Sequence, residues 1–197
     1  MARLAGRLAT AGGRFVDLCA APGGKAALVA HGGSWKSGIA CDLRLHRARM
    51  MVALLGSAPG CASVISDSTR PPLRDGDFDL VLLDAPCTGT GTFRRHPELR
   101  WRLRPESIDE MTSIQKRLVA AAVELVAPHG VLVYATCSIE PEENEDLFPR
   151  PPDGFEIVDL ESELSANVPH ISTDAGGIRI LPHADGDGFT IHAFRRG

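Results

Sequence analysis

Two cysteines lie in sequence contexts that suit nucleophilic chemistry. Cys87 belongs to the segment DAPCTGTG, which begins at Asp84, and Cys137 belongs to the segment ATCS. Each segment closes an apolar run, and the carboxyl ends of neighbouring parallel strands meet at one edge of a sheet, so we expect both thiols at one cleft. A thiolate there can add to carbon 6 of a cytosine, which makes carbon 5 enamine-like and able to attack an electrophilic methyl group. This chemistry also requires an acid or hydrogen-bond donor at the ring nitrogen, for which Asp84 is the candidate, and a group that helps to release the adduct.

The five cysteines leave other interpretations open. One alternative is a zinc site built from Cys19, Cys87 and Cys137, although these ligands lack the close pairing of structural zinc sites. A disulfide between Cys87 and Cys137 is another. Cys41 and Cys61 lie in or beside apolar runs and are expected to be small buried hydrophobic residues. An odd number of cysteines without a CxxC pair favours free thiols in a reducing, cytoplasmic compartment, with no bound metal.

A glycine-rich segment near the amino end indicates a ligand-binding turn. The segment DLCAAPGGK, residues 17–25, lies between an apolar run and a helical pattern. Gly23 and Gly24 within it allow a tight turn and a close approach of backbone to a ligand. Asp42 ends the next apolar run, where a carboxylate can accept hydrogen bonds from ribose hydroxyls. A nicotinamide-dependent dehydrogenase is one alternative, but the GxGxxG spacing is absent, and a purely structural turn is the other.

Aspartates close or follow the first four apolar runs, at Asp17, Asp42, Asp67 and Asp84. Ligands of open α/β sheets bind outside the carboxyl ends of the strands, so we expect all four carboxylates at one rim. A single aspartate after a strand is often a helix cap, but four at one edge favour a binding site.

Short apolar runs alternate with helical patterns, and this alternation predicts the elements that position the aspartates and cysteines. The predicted strands are residues 14–18 (RFVDL), 38–42 (GIACD), 62–66 (ASVIS), 79–84 (DLVLLD) and 131–136 (VLVYAT). The predicted helices are residues 2–9, 24–31, 44–55 and 106–126, the last with an apolar stripe at Met111, Ile114, Leu118, Ala121 and Leu125. Such alternation indicates an α/β fold with a mainly parallel sheet covered on both faces. Two later runs, 155–160 and 189–194, are expected to pair as a hairpin at the sheet edge, and residues 1–197 to form one domain.

Charge is concentrated in one segment. The chain has 197 residues and a formal net charge of -4, which excludes attraction of nucleic acid by the whole surface. Residues 94–104 (RRHPELRWRLR) nevertheless hold five arginines and one glutamate directly after the Cys87 segment. The predicted RNA contacts are Arg94, Arg95, Arg100, Trp101 and Arg102. A solvated charged loop is the alternative. The longest apolar runs are too short to cross a bilayer, so no membrane is expected.

Three segments together resemble a known family. DLCAAPGGK, DAPCTGTGTFRRHPELRWR and YATCSIEPEENE are similar, in order and spacing, to the signature blocks of the RsmB/Nop/Sun family of RNA cytosine-5 methyltransferases. The resemblance covers Phe15 to Glu145. It implies a Rossmann-like fold with a seven-stranded sheet whose last strand is antiparallel, and it implies S-adenosylmethionine as the cofactor.

The resemblance also implies roles for individual residues. Asp42 would bind the ribose of the cofactor, Asp67 would lie by the adenine, and Asp84 would lie near both cofactor and target base. Cys137 would be the nucleophile, and Cys87 would assist product release. The methionine and ribose side of the cofactor would be lined by Cys19, Ala20, Ala21, Pro22, Gly23, Gly24 and Lys25.

The expected substrate is RNA, with ribosomal RNA preferred over transfer RNA. Members of the family usually carry an RNA-recognition domain before the first strand, whereas this chain has only a short leading segment, 1–13. We therefore expect a catalytic domain that acts alone, as a monomer, or with a separate RNA-recognition partner. One alternative is a non-catalytic scaffold that binds cofactor and RNA during ribosome assembly. The other is a methyltransferase for protein or a small molecule, which the paired cysteines disfavour.

Overall fold

The structure is a computed structural model that describes residues 1–9, 12–56, 58, 60–164, 169–183 and 186–197. Its α-helices are α1 (Ala2–Leu8), α2 (Gly24–Gly32), α3 (Leu45–Leu55), α4 (Leu99–Arg102) and α5 (Pro105–Leu125). Its strands are β1 (Arg14–Asp17), β2 (Ser37–Asp42), β3 (Cys61–Ile65), β4 (Phe78–Asp84), β5 (Val126–Thr136), β6 (Phe155–Ile157), β7 (Ile171–Ser172), β8 (Ile178–Ile180) and β9 (Phe189–Arg196). Each predicted strand and helix is present, with ends displaced by a few residues at most.

One sheet organises the described residues, in the order β3-β2-β1-β4-β5-β9-β8-β7, with β6 also paired to β9. Strands β1 to β5 run parallel to one another, and β9 runs antiparallel to β5. Separate clusters of buried side chains include Val81 and Leu83 on one side, and Leu80 and Leu82 on the other. The continuous apolar run of β4 is explained by this burial on both faces. The predicted α/β class with an antiparallel last strand is confirmed.

The sheet is larger than the seven strands that the resemblance implied, because β6 and β8 both pair with the outer edge of β9 and β7 pairs with β8. The first late apolar run forms β6 and pairs with the carboxyl half of β9, as predicted. The two runs do not form a simple hairpin, since β7 and β8 lie between them in sequence and β8 pairs with the amino half of β9. An eight-residue strand offers enough backbone donors and acceptors for two short partners.

Helix α5 buries a stripe that matches the predicted one in part, since Leu118 and Leu125 are buried as predicted. Its fully buried positions include Gln115 and Ala122, while Met111, Ile114 and Ala121 are only partly buried. Met111 and Ile114 line a cavity, and Ile114 also packs against the buried cluster on that side of the sheet. Gln115 is tolerated inside because its amide nitrogen donates two hydrogen bonds, and apolar periodicity does not predict a buried polar position of this kind.

The parallel arrangement brings the carboxyl ends of β1, β2, β4 and β5 to one edge of the sheet, where the predicted site residues follow. Among the described residues, none of the helices has the length and apolar character needed to span a membrane.

Candidate active site

A cavity of about 640 Å³ opens at the carboxyl edge of the sheet. Of the predicted site residues, its wall includes Cys19, Ala21, Asp42, Asp67, Asp84, Cys87 and Cys137. The predicted residues Ala20, Pro22, Gly23, Gly24 and Lys25 belong to the same turn but do not line this wall. The structure therefore brings together both motif cysteines and three of the four aspartates.

The two thiols are direct neighbours. Cys87 Sγ lies 3.2 Å from Cys137 Sγ, and both cysteines are free. The hydrogen bond between the two sulfurs lowers the pKa of Cys137, against the opposing effect of burial. The same hydrogen bond, followed by burial, raises the pKa of Cys87 well above its usual value. One sulfur is therefore the better nucleophile, and the other keeps its proton.

No cluster of three or more histidine, cysteine or acidic side chains suited to a metal ion occurs within the described ranges. Burial, followed by the charge of Asp17, raises the pKa of Cys19 far above its usual range, so its thiol stays protonated. Cys41 is fully buried, as predicted, and burial raises its pKa to about 11, whereas Cys61 is only partly buried.

Asp84 is paired with a lysine from the glycine-rich turn. Lys25, in the first turn of α2, places its Nζ 2.5 Å from Asp84 Oδ2. Burial raises the pKa of Asp84, and the nearby Lys25 ammonium opposes that rise. The charges of both residues act on Cys137, so the pair lies within electrostatic reach of the thiols.

Asp17 departs from the prediction of four aspartates at one rim. It is fully buried behind the cavity wall, and its backbone partner is the amide of Cys19, which donates to Oδ1 at 3.4 Å. Its Oδ2 has no hydrogen-bond partner. Burial, followed by the charge of Asp84, raises the pKa of Asp17 to about 8. A strand-end position was thus insufficient to place this side chain at the surface of the cavity.

Asp42 and Asp67 differ in environment although both line the cavity. Asp42 is 5% exposed, and its Oδ1 accepts a hydrogen bond from the Arg44 amide at 3.0 Å. Asp67 is exposed, and its Oδ1 accepts hydrogen bonds from the amide and hydroxyl of Thr69 at 2.9 and 2.8 Å. These bonds lower the pKa of Asp67 and keep it ionised.

The structure explains why a glycine is required at position 23 of the turn but gives no such requirement at position 24. Gly23 has φ +111°, and a Cβ there would meet the Cα of Met51 at 3.0 Å. This glycine therefore permits both the left-handed turn and the close packing of α3. A Cβ on Gly24 would meet nothing within 4 Å. The close approach that the structure shows at Gly23 is to a helix, and an approach of this backbone to a ligand stays a prediction.

The arginine segment, residues 94–104, lies beside the thiol loops, which carry Cys87 and Cys137, but outside the cavity. All five predicted RNA contacts are exposed, and none lines the cavity. Arg95 forms an ion pair with Asp187, and Arg94 Nη2 lies 3.9 Å from the same carboxylate. Arg100 packs its guanidinium 5.4 Å from the ring centre of Phe93, and Trp101 is 90% exposed.

Comparison with known proteins settles the family. The profile of a family described as "16S rRNA methyltransferase RsmB/F" matches residues 8–195. The chain belongs to the RsmB/F family. It is 37% identical over 183 residues to the ribosomal RNA small subunit methyltransferase B of Yersinia pseudotuberculosis, which covers 90% of this chain and 41% of that protein. The resemblance seen in the sequence is confirmed.

Solved structures agree with this membership in the RsmB/F family. The crystal structure of PH0851 is 32% identical in sequence and superimposes with a TM-score of 0.87; the match covers 99% of this chain and 45% of the PH0851 chain. NSun6 from Pyrococcus horikoshii, solved with SFG, is 25% identical in sequence with a TM-score of 0.78; the match covers 99% of this chain and 51% of the NSun6 chain. The chain thus spans about half or less of the length of these relatives.

Sequence reasoning missed several residues of the RsmB/F site. Arg47 on α3 donates a hydrogen bond to the Ala21 carbonyl at 2.7 Å and lies 3.8 Å from Asp42 Oδ2, so it ties the glycine-rich turn to the end of β2. Its place one turn into the helix after Asp42 was the available signal. The apolar part of the cavity wall includes Leu43, Met111 and Ile114. Periodicity indicates only whether such residues lie in the core or at the surface, and it does not predict that they line a cavity.

Proposed function

We propose that the chain is the catalytic domain of an RNA cytosine-5 methyltransferase that uses S-adenosylmethionine and acts on ribosomal RNA. The observation that carries the proposal is the pair of free thiols, Cys87 and Cys137, 3.2 Å apart on the wall of a cavity that also contains Asp84. Methylation at carbon 5 requires a sulfur nucleophile and a second group for release, and this pair supplies both.

The cavity suits S-adenosylmethionine. Its volume of about 640 Å³ lies within the ordinary range of small-molecule sites. Asp42 retains acceptor capacity for ribose hydroxyls, since its Oδ2 has only the distant Arg47 contact at 3.8 Å. Asp67 would accept a hydrogen bond from the adenine, and Leu43 and Ile114 would supply the apolar wall beside it. The turn from Cys19 to Lys25 would hold the methionine side. When bound, this cofactor supplies an electrophilic methyl group.

Cys137 is the proposed nucleophile because the family resemblance implies that role for the cysteine of the ATCS segment, and the lowering of its pKa by the hydrogen bond with Cys87 agrees with it. Its thiolate adds to carbon 6 of the cytosine, forming a carbon–sulfur bond and leaving carbon 5 electron-rich. Asp84, hydrogen-bonded to Lys25, would hold a proton at the ring nitrogen while this charge develops. Burial favours the protonated form of Asp84, which suits that role.

Cys87 is the proposed group for release. Solvent water takes the proton from carbon 5, the electrons of that carbon–hydrogen bond form the double bond to carbon 6, and the Cys137 sulfur departs with the carbon–sulfur bonding pair. Cys87 lies at hydrogen-bond distance from that departing sulfur and holds its own proton, so it can stabilise the thiolate that re-forms.

RNA is proposed to reach the thiols past the arginine segment. Arg94, Arg95, Arg100 and Arg102 are exposed and can contact phosphates, and Trp101 offers a face for an unpaired base. The target cytosine must be unpaired or flipped out to enter the cavity. A single catalytic domain, a monomeric state and a cytoplasmic location remain predictions within this proposal.

The test is methylation of RNA by the purified chain with S-adenosylmethionine, mapped by bisulfite sequencing on a 16S ribosomal RNA transcript and, separately, on total transfer RNA. We expect 5-methylcytosine in the ribosomal transcript. Methylation of transfer RNA alone would overturn the ribosomal assignment. Cofactor binding with no methylation of either would favour the scaffold.

Two variants test the cysteine roles in the same assay. Cys87→Ala is expected to accumulate a covalent protein–RNA adduct that survives denaturing electrophoresis. Cys137→Ala is expected to form neither adduct nor product. An adduct in Cys137→Ala would overturn the assignment of nucleophile.

A further inference from the structure

A buried carboxylate links the loops that carry the two thiols. Glu143 follows the Cys137 segment, is 0% exposed, and has hydrogen-bond donors at both of its oxygens. Its Oε1 accepts from the Thr88 amide at 2.9 Å and from Gln115 Nε2 at 3.0 Å, and its Oε2 accepts from the Thr88 hydroxyl. Burying a carboxylate is costly unless such partners are supplied. Here they come from the loop of Cys87 and from α5.

Gln115 also fixes the loop that carries Cys87 to α5. Its side chain is fully buried on α5, and Nε2 also donates to the Pro86 carbonyl at 2.8 Å. Pro86 and Thr88 are the residues on either side of Cys87. The backbone therefore has little freedom to move Cys87 Sγ relative to α5.

The same carboxylate residue is fixed to the strand that carries Cys137. Tyr134 in β5 donates its hydroxyl proton to the Glu143 carbonyl at 2.7 Å. Ser138, next to Cys137, places its Oγ 3.1 Å from Thr90 Oγ1 and 3.4 Å from Thr88 Oγ1. The separation of the two sulfurs is thus set by a continuous buried network rather than by contact between the sulfurs alone.

We propose that Glu143, with Gln115, is a positioning residue that holds Cys87 against Cys137 and so governs release of the covalent adduct. This inference rests on the proposed function. Neither residue lines the cavity, so neither is expected to contact RNA or cofactor. Without the hydrogen bonds of Glu143 and Gln115, Cys137 can still add to the base. Cys87, however, is displaced and no longer stabilises the Cys137 thiolate as it leaves.

The test compares Glu143→Gln with Glu142→Gln, a change of the same kind at the exposed preceding residue. With the 16S transcript and S-adenosylmethionine, we expect Glu143→Gln to accumulate the covalent adduct. We expect its kcat to fall by about 10- to 100-fold with KM unchanged, since displacement of a catalytic group by about 1 Å has effects of that size. Glu142→Gln should match the unmodified chain.

A second measurement needs no RNA. A trivalent arsenical such as phenylarsine oxide bridges two adjacent thiols, so its affinity reports the Cys87–Cys137 spacing. We expect binding by Glu143→Gln to weaken by roughly 10-fold, because the spacing is no longer enforced. Arsenical binding equal to that of Glu142→Gln would overturn the inference.

Milder variants guard against a failure of Glu143→Gln to fold. Thr88→Val removes the hydroxyl that Glu143 accepts from, whereas Thr88→Ser retains it. We expect the adduct to accumulate in Thr88→Val and not in Thr88→Ser. If Cys87→Ala forms the adduct but Glu143→Gln and Thr88→Val do not, this inference fails and the proposed function stands. If Cys87→Ala also forms none, the proposed function fails.

Discussion

The loops that carry Cys87 and Cys137 are organised in the opposite way from the arginine segment, although that segment directly follows the Cys87 loop in sequence. Around Cys87 and Cys137, polar side chains such as Glu143, Asn144 and Ser138 are fully buried and hydrogen-bonded to one another or to backbone. The arginine segment lies open to solvent, with Trp101 90% exposed. Bond formation needs atoms fixed within a fraction of an ångström, whereas contact with phosphates needs only charge within reach. Packing is therefore concentrated where the chemistry is proposed.

The boundary between the two regions falls at Gly91. Its amide donates to the Cys137 carbonyl at 3.0 Å, and its carbonyl accepts from the Gly188 amide at 2.7 Å. A Cβ on Gly91 would lie 2.6 Å from the Gly188 carbonyl oxygen, so the backbone of the Cys87 loop meets that of the residue before β9 with no room for a side chain. Past this point, Arg95 pairs with Asp187, which lies in the loop before β9.

The largest expected effect tests whether the buried side carries the chemistry. Asp84→Asn should lower the single-turnover rate of methylation by about 10²- to 10⁴-fold, because an amide cannot supply the proton that a carboxyl supplies. The rate is measured on the 16S transcript at saturating cofactor. Asp146→Asn, at an exposed carboxylate, is the control. A rate for Asp84→Asn within tenfold of the unmodified chain would contradict the role of Asp84.

The next effect concerns affinity and should appear only in the exposed region. The double variant Arg94→Ala/Arg95→Ala should weaken RNA binding and reduce the slope of log affinity against log salt by about 1.4, or about 0.7 per lost phosphate contact. The single-turnover rate at saturating RNA should be unchanged. Arg150→Ala, at an exposed arginine paired with Asp153, should leave binding unaltered. An unchanged salt slope in the double variant would mean that the arginine segment is only a solvated loop.

Stability should distinguish the two regions directly. Ser138→Ala removes a buried hydroxyl that accepts from the Glu140 amide at 3.1 Å, and we expect a loss of about 1–3 kcal/mol in the free energy of unfolding. Trp101→Ala should change that free energy by no more than about 0.5 kcal/mol, because the side chain is exposed. Urea denaturation of both variants makes the comparison. Equal losses would contradict the contrast between a packed and an open region.

The smallest expected effect is a shift in a titration. The pKa of Cys137 is lowered by the hydrogen bond from Cys87, so Cys87→Ala should raise it. The rate of alkylation by iodoacetamide at Cys137, followed by peptide mass spectrometry, should then rise only at higher pH. Cys61, partly buried and remote from the pair, should keep its own profile. A profile for Cys137 that stays in place or moves to lower pH would show that Cys87 is not the donor.

Much of the fold could be predicted because its signals are local. The apolar runs that became β1 to β5, and the helical patterns that became α2, α3 and α5, reflect burial repeated along a few consecutive residues. The rule that ligands bind at the carboxyl ends of parallel strands then placed Asp42, Asp84 and the two cysteines together. The family was predicted from the three motif segments and is confirmed.

The failures share a different origin. The turned face of α5, the extra strands along β9 and the burial of Asp17 each depend on which distant segment packs against the residue in question. Periodicity reports that a residue is buried or exposed, but it does not report what covers it.

The sequence by itself determined the α/β class, the family, and the presence of two thiols and an aspartate at one edge, because these follow from local pattern and general rules of sheet topology. Only the tertiary structure decided that Glu143 and Gln115 bracket Cys87, that Lys25 pairs with Asp84, and that Asp187 holds the arginines. Such contacts join residues far apart in the chain, and their energies depend on distances and burial that arise only when the chain has folded.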